Sequence, residues 1–227
     1  ANGGKPAPAE AAEMFRRAAA QGHPVAQFNL GILYANGQGV EKDFAKAIEY
    51  MTLAAAQGVE QARTSLDGLN AQVAALRSAE EEKREMERLQ AAAARGDADA
   101  LYAIAQKTAE LDDGSDEAYS VIQSDYEDAL KAYVRDADAG SVHAMQRAAD
   151  MFYTATGTRR DVNRAFDYYQ RASSAGDAWS QMRLGQMYER GESVTADPAK
   201  AIALYQQAAR QGQPDARKKL QERGKGW

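Results

Sequence analysis

Two histidines, His23 and His143, are the only imidazoles in the chain, which has no cysteine. Without cysteine there is no disulfide, no thiolate zinc site and no cysteine nucleophile. Each histidine stands just after a glycine, Gly22 and Gly140, in well-separated stretches, so the two are not expected to converge on one metal or one substrate. No G-x-S-x-G elbow, H-E-x-x-H pair or phosphate loop occurs. Gly37-Gln38-Gly39 lacks the third glycine of a dinucleotide-binding turn and reads as a chain reversal. Asp112, Asp113, Gly114, Ser115, Asp116 and Glu117 form an acidic run. A calcium loop needs a longer fixed scheme that ends in a bidentate glutamate, which this run does not supply. The expectation is a protein with no enzymatic activity, no cofactor and no metal site.

The elements that position these residues repeat. Gly22, Gly58, Gly96, Gly140, Gly176 and Gly212 each close an alanine-rich run, at spacings of 36, 38, 44, 36 and 36 residues. Such a period, with two helical stretches per unit, belongs to solenoids of stacked helix pairs. In the clearest unit Ala26, Leu30 and Leu33 share a helical stripe with Tyr34 beside it, and the small Gly31 lets a neighbouring helix approach. Gly37 and Gly39 reverse the chain, Asp43 caps a second helix through Lys46, Ala47, Tyr50, Ala54 and Ala55, and Gln57-Gly58 ends it. Leu184, Gly185, Tyr188, Gly191, Asp197-Pro198, Lys200, Ala201, Tyr205, Ala208, Gln211 and Gly212 restate the pattern. Asp161, Arg164, Ala165, Tyr168 and Gly176 keep its offsets in the unit before.

The pattern A-x-x-x-L-G-x-x-Y…G-x-G-V-x-x-D…K-A…Y…A-A-x-Q-G resembles the Sel-one-like repeat, a relative of the tetratricopeptide repeat. The likeness is specific over residues 8–66 and 161–220 and survives mainly as spacing between them. It implies an all-α, right-handed α-solenoid of antiparallel helix pairs, roughly 12 helices here, acting as an adaptor and, in bacteria, often exported. Periplasmic or otherwise exported localisation is the expectation that follows. Residues 1–9 read as a flexible Gly/Pro/Ala-rich leader, 10–222 as one array with a divergent centre over about 71–125, and 223–227 as a tail.

In that centre the Gly-x-Gly turn is missing, and Ser78-Ala79-Glu80-Glu81 has the form of a capping box that starts a new helix. The Gly96–Gly140 unit carries eight extra residues, placed within 110–124. The net charge of −5 conceals an asymmetry: residues 71–140 hold 8 basic and 17 acidic side chains, residues 141–227 hold 14 and 9. Overall acidity argues against nucleic-acid binding, and no stretch is apolar enough for membrane insertion.

In tetratricopeptide-like pairs the first helix lines a concave groove, with groove positions two residues before and after the repeated leucine. That register, with its neighbouring stripe, nominates Phe28, Ile32, Tyr102, His143, Tyr153, Trp179 and Met182 as partner-binding residues. Aromatic residues and Met gathered on one face have the composition of a binding hot spot. The expected function is a non-enzymatic envelope adaptor, scaffold or regulator that binds a partner protein there. An immunity protein that neutralises a secreted toxin is the alternative, and a hydrolase or carbohydrate-binding protein the outside one. Met14 and Phe15 make the first helix apolar for an array end, so self-association through it is also expected.

Overall fold

The computed structural model describes residues 7–226, which form eleven helices and no strand. They are α1 (Pro8–Ala20), α2 (Pro24–Asn36), α3 (Phe44–Ala56), α4 (Glu60–Ala93), α5 (Ala98–Glu110), α6 (Asp116–Asp138), α7 (Val142–Thr154), α8 (Val162–Ser174), α9 (Ala178–Arg190), α10 (Pro198–Arg210) and α11 (Pro214–Gln221). Most of the leader lies outside the described residues, and the first helix already begins at Pro8. Trp227 also lies outside them. None of these helices is long and apolar enough to cross a membrane.

Local chemistry sets the helix boundaries. Asp43, Asp97, Asp161, Asp177 and Asp197 each accept a hydrogen bond from the backbone N–H three residues on, at 3.0, 2.9, 3.0, 2.6 and 3.0 Å. Each satisfies one of the donors a helix start leaves open. Gly37 and Gly191 end α2 and α9 in the left-handed region, at φ of 67° and 68°. Ala155 ends α7 at the same repeat position with φ of 64°, a conformation that costs a Cβ-bearing residue strain.

The helix pairs close over alanine. Ala26, Ala62, Ala100, Ala144 and Ala216 hold one repeat position and all are buried. Gly31 and Gly185 mark the closest approach within their pairs: a Cβ on Gly31 would stand 2.8 Å from Met51 Cγ, and one on Gly185 2.7 Å from the Tyr205 ring. Glutamines lock successive helices. Buried Gln27 donates to the Ala19 carbonyl at 3.4 Å while its oxygen accepts from Gln57 at 2.7 Å. Gln181 and Gln211 repeat the arrangement, Gln211 donating to Gln181 at 2.8 Å and Gln181 to the Ser173 carbonyl at 3.4 Å. Gln27 and Gln181 thus satisfy helix-end carbonyls of the preceding helix, and the glutamine of each Gln-Gly dipeptide, Gln57 or Gln211, holds them in place.

The chain packs as two compact units, Ala1–Arg84 and Glu85–Trp227, and α4 runs from the first into the second. One core gathers Ala19, Ala26, Leu30, Tyr34, Ala47, Met51 and Leu69. The other runs from Ala98 to Leu220 and includes Tyr133, Phe152, Tyr169, Leu184 and Tyr205. The helix start expected at Ser78 is not formed, because α4 continues unbroken through it for 34 residues. This fusion accounts for eleven helices rather than twelve. Val73 stands where the repeat places Gly37, so no left-handed residue stops the helix. Asp67 stands where the repeat places Gly31, and a carboxylate there would meet the backbone of a returning helix. Asn70 stands where the repeat places the buried Tyr34. The central segment is thus built to stay extended.

The eight extra residues fall where expected. They lengthen α6 by ten residues, to 23 against 13 in its counterparts, while the turn after α5 is two residues shorter than the one after α2. Asp112 and Asp113 accept from the backbone N–H groups of Gly114 and Ser115 at 2.9 and 3.0 Å, closing two tight turns.

Candidate partner-binding face

In the second unit the first helix of each pair, α5, α7 and α9, carries a repeated cluster of carboxylate, phenol and guanidinium. Tyr133 on α6 and Tyr169 on α8 are buried and 36 residues apart. Tyr133 donates to Asp99 on α5 at 2.6 Å, and Tyr169 donates to Asp150 on α7 at 2.5 Å. Each phenol oxygen then accepts from the Nε of an arginine fourteen residues later, Arg147 at 3.4 Å and Arg183 at 3.3 Å. A ring from the preceding first helix supports each guanidinium: Arg147 lies 4.2 Å from the Tyr102 centroid and Arg183 4.5 Å from that of Tyr153. The ten-residue offset supplies another donor to the same carboxylate. His143 Nε2 is 2.9 Å from Asp99, and Trp179 Nε1 donates to Asp150 at 3.3 Å.

The electrostatics follow from burial and these bonds. Burial pushes the Tyr133 and Tyr169 phenols well above the ordinary range, and their carboxylate partners push in the same direction. Tyr205, two repeats beyond Tyr133, is pushed up by burial to about 12. Burial works against the charges of Arg147 and Arg183, but their tyrosine partners outweigh it, so both hold their protons more firmly than an ordinary arginine. At Asp99 burial is outweighed by the bonds from Tyr133 and His143, and its carboxyl is held below the usual range. A cleft of about 340 Å³ opens beside this cluster, lined by Arg95, Asp97, Asp99, Tyr133, Arg135 and His143 among others.

The structure gathers four of the seven nominated residues on this face. Tyr102 and His143 both lie against Tyr133, at ring-centroid distances of 6.1 and 6.3 Å. Tyr153 and Trp179 meet the Arg183–Asp150 pair. Phe28 and Ile32 belong to the first unit, partly buried against its core. There Ile32, Met51 and Ser65 take the repeat positions of Asp150, Tyr169 and Arg183 and, with Ala35, Asn36, Leu69 and Gln72, line a small mixed hollow of about 250 Å³.

Met182 requires a correction. It is 2% exposed within the core and presents no binding surface. The stripe that faces outward runs one and five residues before the repeated leucine, through Arg183 and Trp179, and a residue two before it turns inward under the next helix. Arg147, Arg183, Tyr133 and Tyr169 were missed. Their signal is present in the sequence as tyrosines at 133, 169 and 205 and arginines at 147 and 183, all at the 36-residue period.

Stacked helix pairs with a side-chain lattice along one face define a helical-repeat protein of the protein-interaction class. The Sel1 repeat model matches residues 2–23, 24–59, 142–177 and 180–213, more than half of the chain. The chain belongs to the Sel1 repeat family. A Sel1 repeat protein from Oxalobacter formigenes is 30% identical, with 94% of this chain and 68% of that one aligned at a TM-score of 0.43. A protective antigen present in uropathogenic Escherichia coli strains, displaying the same repeat fold, is 20% identical over 94% of this chain and 51% of its own, at a TM-score of 0.40. An uncharacterized protein of Neisseria meningitidis is 43% identical over 53 residues, 23% of this chain. The aligned stretch spans 11% of that protein.

Proposed function

We propose that the protein is a non-enzymatic adaptor of the bacterial envelope that binds a partner protein on the α5–α7–α9 face of its second unit. One observation carries the reading. Trp179, Arg147 and Arg183 are held by their bonds to Asp150, Tyr133 and Tyr169, Tyr153 by its bond to Glu192, and Tyr102 by ring contacts with Tyr126 and Tyr133, all on neighbouring helices. Trp, Tyr and Arg are the residue types that dominate binding hot spots, and a face whose rotamers are already set loses little entropy when a partner docks.

The test is capture from an envelope extract by wild type beside a Trp179→Ala/Tyr102→Ala variant of equal helicity. A protein held by wild type and released by the variant supports the reading, and equal capture refutes it. If the captured protein loses its own activity in the complex, the role is that of an immunity protein rather than a scaffold. Fractionation of the cells of origin tests the export proposal, and recovery in the cytoplasm alone would overturn it.

A further inference from the structure

Arg147 and Arg183 are half-buried, yet neither forms an ion pair among the described residues. Ion-paired cations such as Lys46, Arg84 and Lys131 are, by contrast, exposed side chains with a carboxylate nearby. A guanidinium withdrawn from water is costly unless its charge is balanced, and Asp99 and Asp150 act on Arg147 and Arg183 through space without bonding to either guanidinium. Here the neighbouring carboxylates are engaged elsewhere. Asp99 accepts from Tyr133 and His143, Asp150 accepts from Tyr169 and Trp179, and Glu192 takes Tyr153 and Arg190. The neutral phenols of Tyr133 and Tyr169 stand between each arginine and its nearest carboxylate and hold the Nε edge. Arg183 also spends one terminal nitrogen on Gln186, at 3.2 Å.

The arrangement repeats. Each arginine occupies the same position of its helix, and each lies over a tyrosine ring of the preceding first helix. Arg183 reaches Tyr153 on α7, the helix that carries Arg147, so the two guanidiniums border one face. An extended peptide advances about 3.3 Å per residue, so one with carboxylates at short intervals can present one to each. The second unit as a whole holds 19 basic and 23 acidic side chains, so attraction for an acidic ligand comes from these two local guanidiniums and not from the unit's net charge.

We propose that this face binds an extended acidic segment of its partner, placing one carboxylate on Arg147 and a second on Arg183. This rests on the reading above that the face is the partner-binding surface. It adds the chemistry of the partner.

The probe is a capped synthetic peptide of about twelve residues with Glu at every third position and Ala or Ser between, titrated onto the full chain by fluorescence anisotropy. Matched peptides carry Gln or Lys in place of Glu. The Glu peptide is expected to bind wild type about tenfold more tightly than the Gln peptide, with affinity falling as salt rises. The Arg147→Gln/Arg183→Gln variant is expected to lose that preference. Arg147→Lys/Arg183→Lys, which keeps charge and removes the planar fork, is expected to retain only part of it and guards against a variant that merely misfolds. Equal binding of Glu and Gln peptides, no binding of the Glu peptide at about 1 mM, or a preference that survives Arg147→Gln/Arg183→Gln and disappears in Lys218→Gln/Lys225→Gln would each overturn the inference. The inference fails alone if the Trp179→Ala/Tyr102→Ala variant still releases a captured protein while Glu and Gln peptides bind alike. Both fail if that variant captures as wild type does.

Discussion

Ser180 sits at a repeat position held by alanine in every other unit: Ala26, Ala62, Ala100, Ala144 and Ala216. It is fully buried, and its hydroxyl has no hydrogen-bond partner. An unpaired buried hydroxyl costs about 1–3 kcal/mol, because the water it bonds in the unfolded chain is not replaced. Alanine is also the better helix former by about 0.5 kcal/mol. Ser180→Ala removes one oxygen from a site whose five counterparts close around a methyl group, so loss of packing does not offset the gain. The expected change is a stabilisation of about 1–2 kcal/mol, or about 2–6 °C in the melting of the second unit. Thermal and urea unfolding followed by circular dichroism reads it, with Ala144→Ser as the reverse experiment. That variant places the same hydroxyl in the preceding repeat and is expected to destabilise by a similar amount. The reasoning is refuted if Ser180→Ala destabilises while Ala144→Ser is silent, since the serine hydroxyl would then have a partner, such as a buried water.

The tyrosine ladder sets an alkaline limit. Tyr133, Tyr169 and Tyr205 are all buried with raised phenol pKa values, so the folded state holds protons that the unfolded chain releases near pH 10. Their contribution is complete below pH 10 and is lost as pH rises toward 12 and beyond, at up to about 4 kcal/mol per pH unit while all three titrate in the unfolded chain alone. Tyr169→Phe should flatten that slope by about a third in urea titrations between pH 9 and 11, and an unchanged slope would count against the ladder. Gly185→Ala places a methyl group 2.7 Å from the buried Tyr205 ring and 3.3 Å from the Ala201 carbonyl. Its overpacking cost of about 1–3 kcal/mol should exceed the helix-propensity gain. Gly31→Ala meets Met51 Cγ at 2.8 Å and the Ala47 carbonyl at 3.2 Å, but a methionine shifts more readily than a tyrosine ring, so its cost in the same melts should be the smaller of the two, and a larger one would contradict the difference in rigidity. Ala155→Gly relieves a positive φ of 64° and should stabilise by about 1 kcal/mol, and a loss on unfolding would mean the alanine methyl contributes packing that outweighs its strain.

Features governed by neighbours in the chain could be read before the structure. Asp43, Asp161 and Asp197 were identified as caps and each accepts its bond, because capping depends on a side chain and backbone three residues apart. Ser78 shows the limit of that logic. Its spacing to Glu81 is that of a capping box, yet a cap forms only where the chain leaves the helix, and Val73 gives it no place to leave. The Ser78 hydroxyl instead contacts Glu82 at 3.5 Å along the helix surface. Comparison of Asp67, Asn70 and Val73 with Gly31, Tyr34 and Gly37 would have revealed the unbroken helix, since all three positions reject the hairpin together. The arginine–tyrosine pairs of the candidate face were missed for a related reason. Reading by apolar character selected Met182, because large apolar groups suggest contact surfaces, but a methionine adapts to a core as readily as to a partner. The polar repeat was the better signal. A tyrosine and an arginine recurring at 36 residues have no need to be identical for helix packing alone, as Met51 and Ser65 at the same positions of the first unit demonstrate. The second unit retains both because the phenol carries a hydrogen bond from the guanidinium to a carboxylate and keeps the two charges apart. That separation leaves Arg147 and Arg183 fixed in place by a phenol and a ring but without a direct ion pair, an arrangement that packing alone does not require.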